Sequence, residues 1–220
     1  MGIPVISSYA LPTENDLPEQ LVQWQPDPVR AALLIHDMQQ YFVDFFPSDT
    51  APISGVIGNI AALRKTASEL GIPVIYTAQP GNMTRHQRGL LQDFWGPGMR
   101  ATPEHRRVIK ELTPRDHDVV LTKWRYSAFT RTHLTDLMAG QRRDQLIVCG
   151  IYAHVGCLMT VADAFAQDIQ PFLVADAIAD FTREDHLAAL EYAARRCAAT
   201  PTTTTVLTAL HAQQNFAVQH

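Results

Sequence analysis

No apolar run in the 220 residues approaches the roughly 20 that a membrane-spanning helix needs, so no transmembrane segment is expected. Residues 1–17 lack a basic stretch followed by an apolar core, so no secretion signal is expected either. Cysteine is scarce: Cys149, Cys157 and Cys197 are an odd number and form no Cys-x-x-Cys pair. That excludes a disulfide framework and fits a reducing cytoplasm. Positive charge is short as well, with 18 Lys and Arg against 22 Asp and Glu and no basic stripe, which argues against nucleic acid as a partner. The histidines show no His-x-x-x-His or His/Cys ligand spacing, so neither metal nor cofactor is expected, and His154 reads as a structural histidine.

What is present is a globular composition, 46% hydrophobic and 18% charged, long enough for one substantial core and too short for two ordinary domains. Short apolar segments recur: "RAALLIHD" (30–37), "IPVIYTA" (72–78), "DVVLTK" (118–123), "QLIVCGI" (145–151) and "QPFLVAD" (170–176), with "TTTTV" (202–206) as a last strand. Between them lie helical patterns at 53–71, 131–140, from Leu158 onward, and 182–198, the last opened by Thr182 and Asp185 in capping-box spacing. Continuously apolar strands alternating with helices predict a parallel sheet covered on both faces. The expected fold is a single-domain, doubly wound, three-layer α/β/α architecture with about six strands. Residues 1–28, rich in Pro, read as an extended arm, 29–210 as the domain and 211–220 as a frayed tail. Residues 79–102 lack periodicity and form a long excursion, a feature usually tied to function.

In an open parallel sheet, ligands bind beyond the carboxyl ends of the strands. Three reactive side chains fall there: Asp37 ends the first strand, Lys123 ends the third, and Cys157 opens the helix after the fourth. Singly, each has an ordinary structural role, as a helix cap, a surface lysine or a small packing residue. Their coincidence at one sheet edge points to a site. Cys157 stands where a helix dipole would favour a thiolate, which raises the question of whether it is a nucleophile.

The segments "LLIHDMQQYF", "YTAQPGNMT", "RGLLQDFWGPGM", "LTKWRYSAF", "GIYAHVGCLMT" and "DIQPFLVADAIADF" together resemble the isochorismatase-like (cysteine hydrolase) superfamily, and within it the isochorismatase branch of siderophore and phenazine pathways. The resemblance runs over about residues 3–206. It implies hydrolysis of the enolpyruvyl ether of a chorismate-derived dicarboxylate, isochorismate or its 2-amino-2-deoxy analogue, by a homodimer. Because the chain ends about where a carrier domain would begin, the expectation is a stand-alone hydrolase. The resemblance also implies Asp37 and Lys123 as catalytic residues. Substrate-binding positions would be Phe42, Gln79, Arg88, Trp95, Tyr126, Tyr152, Gly156 and Cys157, with a non-prolyl cis peptide at Ile151–Tyr152. Arg85 competes with Arg88. Gly156 is read as small so that a substrate ring can approach. Metal-dependent nicotinamidases of the superfamily carry Asp-Trp-His where this chain has "AQPGNMT", which argues against zinc and nicotinamide.

A vinyl ether offers a thiolate no electrophilic carbonyl. Its cleavage needs a proton on the terminal methylene carbon, so the essential group is a general acid, for which Asp37 is the candidate. Two readings from other classes stand beside this one: a Cys157-dependent amidohydrolase, and a non-catalytic module that docks onto a pathway enzyme.

Overall fold

The computed structural model describes residues 2–218. Five strands form one parallel sheet: β1 (Ala31–His36), β2 (Val74–Ala78), β3 (Val119–Thr122), β4 (Gln145–Ile151) and β5 (Gln170–Ala179), in spatial order β3-β2-β1-β4-β5. β1 is buried at every position, as a central parallel strand must be. Its residues alternate between two cores: Ala31, Leu33 and Ile35 face one layer, Ala32 and Leu34 the other.

The helices are α1 (Gln40–Val43), α2 (Ile53–Glu69), α3 (Arg85–Arg88), α4 (Leu91–Trp95), α5 (Pro103–Arg106), α6 (Leu134–Gly140), α7 (Leu158–Ala166), α8 (Arg183–Arg196) and α9 (Thr203–Val218). α2 and α9 cover the face of Leu33 and Ile35 through Ile60, Leu63, Val206 and Leu210. α6, α7 and α8 cover the other through Leu134, Val161 and Leu190. At the start of α8, Thr182 accepts the Asp185 N–H, the cap that the sequence spacing predicts. Among the described residues no helix is long and apolar enough to cross a membrane.

The sixth strand expected at 202–206 is the first turn of α9 instead. The Asp176 carboxylate accepts both the backbone N–H and the hydroxyl of Thr203, each at 2.7 Å, and Thr202 Oγ1 accepts the Thr205 N–H. This capping overrides the β-preference of a threonine run. The chain does run beside β5, but earlier: Ala199 and Pro201 carbonyls accept from Leu173 and Ala175, and Ala199 donates to Pro171. Pro201 has no N–H to extend the ladder. The tail read as frayed is helical as far as Val218, while Gln219 and His220 lie outside the described residues.

Residues 2–28 hold one 3-10 turn, Glu14–Asp16. Ile6 is buried, and its N–H donates to Phe45. The 79–102 excursion folds into α3 and α4. Thr84 caps α3 and exchanges hydrogen bonds with Gln87 in a capping box.

Candidate active site

β1 is central, and the chain leaves it for β2 on one side while β4 fills the other, so the crevice at its carboxyl end is the switch point of the sheet. Asp37 is the first residue beyond β1 and takes a left-handed backbone, φ 49°. Aspartate tolerates that region better than most residues. Its carboxylate is fixed on both oxygens. Lys123, just past β3, donates from Nζ to Oδ2 at 2.9 Å, and Thr77 on β2 donates from Oγ1 to Oδ1 at 2.6 Å.

Asp37 and Lys123 are 5% and 3% exposed, so the pair is held at the wall of the site with little solvent. Burial alone would push the Asp37 carboxyl up. The Lys123 ammonium, the His36 ring and the Thr77 and Lys123 hydrogen bonds outweigh it and hold Asp37 below the usual carboxylate range. Burial depresses His36 to about 4, so its ring is neutral at pH 7. Nδ1 lies 3.0 Å from the Ile151 carbonyl, which can only accept, so Nδ1 carries the proton.

The pair faces a pocket open to solvent. Phe42, Gln79, Arg88, Trp95, Tyr126, Tyr152 and Gly156 all line it together with Asp37 and Lys123. Arg88 is 5% exposed and lies on this wall, whereas Arg85 is exposed and does not. The Arg88 guanidinium donates to the Gly96 carbonyl at 2.9 Å and to Gln79 Oε1 at 3.3 Å. A Cβ at Gly98 would sit 2.8 Å from Arg88 Cζ, at a φ of +74° that favours glycine. Gln79 is held in turn by Gln39. The buried Gln39 side chain accepts the Gln79 N–H at 2.7 Å and donates to the Gln79 and Arg106 carbonyls. Trp95 Nε1 donates to the Tyr126 hydroxyl, and the Tyr152 hydroxyl donates to the Phe42 carbonyl. The Ile151–Tyr152 peptide is cis, where the sequence resemblance places it.

Cys157 is the exception among the ten candidate residues. It is fully buried, within the cluster under α7 and α8, and is not part of the pocket wall. Burial pushes its thiol well above the ordinary range, which keeps it protonated. It begins no helix N-terminus open to ligand, because a π-helical turn, Ala153–Cys157, precedes α7. Gly156 has a reason to be small that differs from the one read in the sequence. A Cβ there would lie 2.9 Å from His36 Nε2 and 3.0 Å from Nδ1, and closer still to Cε1. The glycine seats the His36 ring.

The wall also contains residues that sequence reasoning passed over. Tyr41 and Phe181 add aromatic surface, Arg125 adds a cation, and Ile3 brings the N-terminal arm to the pocket. Thr77 and Gln39 act through Asp37 and Gln79. One signal was countable: residues 81–133 hold ten Lys and Arg against five Asp and Glu, in a chain of net charge −4. The cationic segment forms the pocket side that carries Arg88, Lys123 and Arg125. His154 serves structure, with its backbone N–H and Nδ1 2.6 and 2.7 Å from the buried Asp180 carboxylate. Among the described residues no group of three or more His, Cys, Asp or Glu side chains converges as metal ligands would.

Comparison with known proteins identifies the family. The family model described as isochorismatase domain matches residues 31–206. The chain is 54% identical over 207 residues to the isochorismatase of Bacillus subtilis, covering 94% of this chain and 66% of that protein, just under two thirds of its length. It is 56% identical over 206 residues to the phenazine biosynthesis protein PhzD of Pseudomonas fluorescens, covering 94% of this chain and 99% of that one. A cysteine hydrolase from Pseudomonas syringae pv. phaseolicola, 23% identical, superposes with a TM-score of 0.79 over 89% of this chain and 99% of its own, and so shares the fold. With a family match over most of its length and relatives at this identity, the chain is a member of the isochorismatase family.

Proposed function

We propose that Asp37 is the general acid of a vinyl-ether hydrolase acting on isochorismate or its 2-amino-2-deoxy analogue, releasing pyruvate and a dihydrohydroxybenzoate. Hydrolysis of an isochorismate-type vinyl ether is the activity of the family relatives by name and resemblance, and the pocket has the parts that reaction needs. Asp37 protonates the terminal methylene carbon, so a C–H bond forms from the C=C electron pair and an oxocarbenium ion results. Water adds to the ether-bearing carbon of that ion, next to the new methyl group, and gives up a proton to the Asp37 carboxylate. The hemiketal then collapses: its hydroxyl gives up a proton as the C=O of pyruvate forms, the bond to the ring oxygen breaks, and that oxygen takes up a proton and leaves as the alcohol.

An ion pair with Lys123 favours the ionised, unproductive form of Asp37. A dicarboxylate substrate reverses this: its carboxylates draw Lys123 and Arg88 to themselves, and their negative charge raises the Asp37 pKa. Binding therefore arms the acid. Gln79 and Arg88 orient the substrate carboxylates, and Phe42, Trp95, Tyr126 and Tyr152 enclose the ring.

The observation that carries this reading is the arrangement of the two candidate reactive groups. Asp37, paired with Lys123, faces the pocket, while Cys157 lies behind the wall as a protonated thiol. The same observation weighs against the Cys157-dependent amidohydrolase. The docking-module reading does not account for a buried acid–lysine pair at the switch point. We take the enzyme to be cytoplasmic and a homodimer, the commonest closed symmetry. Sedimentation at micromolar concentration should show the dimer, and a monomer alone would contradict it. The functional test is incubation with each of the two substrates and measurement of pyruvate. Release from at least one is expected, and none from either would overturn the proposal.

A further inference from the structure

Thr77 is fully buried near the end of β2, and among the described residues its hydroxyl hydrogen-bonds to Asp37 alone. Its Oγ1 lies 3.1 Å from the Asp37 N–H, which can only donate, and 2.6 Å from Asp37 Oδ1. Having accepted the N–H, the hydroxyl directs its single proton to Oδ1, since no other acceptor for it is found among the described residues. One oxygen atom thus grips the backbone and the side chain of the same residue. This closes a ring that holds both the left-handed φ of Asp37 and the rotation of its carboxyl group.

We propose that Thr77 is a positioning residue that assigns the acid proton of Asp37 to Oδ2. This rests on the reading of Asp37 as the general acid and specifies which of its two atoms delivers the proton. Oδ1 is committed to a fixed neutral donor, whereas Oδ2 is held by the ammonium of Lys123, a mobile charge on a flexible stem. When the substrate carboxylates draw Lys123 away, Oδ2 is the oxygen released. A proton taken up by the carboxyl then resides on Oδ2, because Oδ1 still accepts from Thr77. Transfer breaks the Oδ2–H bond and forms the C–H bond at the methylene, and the water that adds afterwards restores the proton to the same oxygen. Without the Thr77 hydroxyl, either oxygen can carry the proton and the carboxyl can turn, so only part of the bound enzyme holds its acid toward the substrate.

The decisive pair is Thr77→Ala and Thr77→Ser, which differ by one hydroxyl, with Thr77→Val as the isosteric third variant. Steady-state pyruvate release is measured from pH 5 to 9, and thermal melts establish that each variant is folded. Where Thr77→Val unfolds, the Ala–Ser comparison decides. Thr77→Ser is expected within about threefold of the parent, and Thr77→Ala on the order of a hundredfold lower in kcat with a smaller change in KM. A second readout separates positioning from packing. The donor to Oδ1 stabilises the ionised carboxylate, so its loss moves the alkaline limb of kcat to higher pH. The groups around Asp37 are Lys123 after β3, His36 on β1, Tyr152 after β4 and Cys157 before α7, and of these His36, Tyr152 and Cys157 are held uncharged at pH 7. Equal kcat values for Ala and Ser, or an unmoved limb, would overturn the proposal. Asp37→Ala is run alongside: if it retains pyruvate release, the acid assignment itself is wrong and Thr77 falls with it. If Asp37→Ala is inactive while Thr77→Ala equals Thr77→Ser, only the role of Thr77 is lost.

Discussion

Gly156→Ala tests how tightly the site is assembled. The added methyl would lie 2.9–3.0 Å from both ring nitrogens of His36 and nearer to the carbon between them. The ring cannot retreat freely. It is fully buried, and its Nδ1–H is bonded to the Ile151 carbonyl. Overpacking of this kind costs about 1–3 kcal/mol, and breaking the ring–carbonyl bond strands buried polar atoms at a further cost of about 1–3 kcal/mol. For a chain of this size each kcal/mol moves the melting temperature by about 2–4 °C, so a drop of about 4–24 °C is expected by calorimetry. Because His36 precedes Asp37, kcat for pyruvate release should fall in the same variant. The control is a double-mutant cycle with His36→Ala, which makes room for the methyl. In that background Gly156→Ala should cost almost nothing. A melting temperature within two or three degrees of the parent, or the same drop in both backgrounds, would refute the argument that Gly156 exists to seat His36.

The stability of the protein should fall on acidification well before its carboxylates protonate. Burial depresses His36 and His186 to about 4, so between about pH 6.5 and 4 the unfolded state binds protons that the native state refuses. Each contributes a slope of up to about 1.4 kcal/mol per pH unit, stabilising above that window and lost as pH falls through it. His154, raised by its hydrogen bond to Asp180, works in the opposite sense and offsets part of this. A urea midpoint lower at pH 5 than at pH 7 is expected, and an unchanged midpoint would contradict the burial of the two neutral rings. The cationic 81–133 segment should speed capture of a dianion, so kcat/KM should decline with ionic strength while kcat stays nearly constant. A kcat/KM indifferent to salt would mean that those charges do not steer the substrate. Gln39→Leu should raise KM by about tenfold or more, because it releases the Gln79 backbone that presents Oε1 to Arg88. An unchanged KM would show that Gln79 is held by other contacts.

The sheet was legible because β1 and β4 are buried at every position and β2 and β5 at nearly every one, and so are largely apolar, while the exposed edge strand β3 is marked by its short β-branched run; the strand ends at Asp37 and Lys123 follow from those patterns. The cap at Thr182 was legible because it is local. The threonine run at 202–206 misled for the opposite reason: the group that turns it into a helix start is Asp176, far away in the chain. Arg88 and Arg85 were indistinguishable in sequence because a four-residue helix carries too little periodicity to say which side is buried. The role of Gly156 depended on a ring 120 residues earlier in the sequence. Cys157 looked like a pocket residue because it sits at the start of a helical pattern, but the π-helical turn and the bulk of α7 and α8 bury it. Thr77 and Gln39 gave no signal, since a buried threonine in a strand and a glutamine after one are ordinary until their partners are seen.

Either the acid or the thiol does the chemistry, and one assay compares them: pyruvate release at saturating substrate by Asp37→Ala and Cys157→Ala, each measured against the parent. Loss of a general acid lowers kcat by about 10² to 10⁴, whereas loss of a buried thiol outside the pocket should cost at most about tenfold, or 1.4 kcal/mol of barrier. Asp37→Ala falling by that range with Cys157→Ala within tenfold of the parent is the predicted result. A Cys157→Ala variant reduced a thousandfold, or an Asp37→Ala variant that turns over near the parent rate, would contradict it.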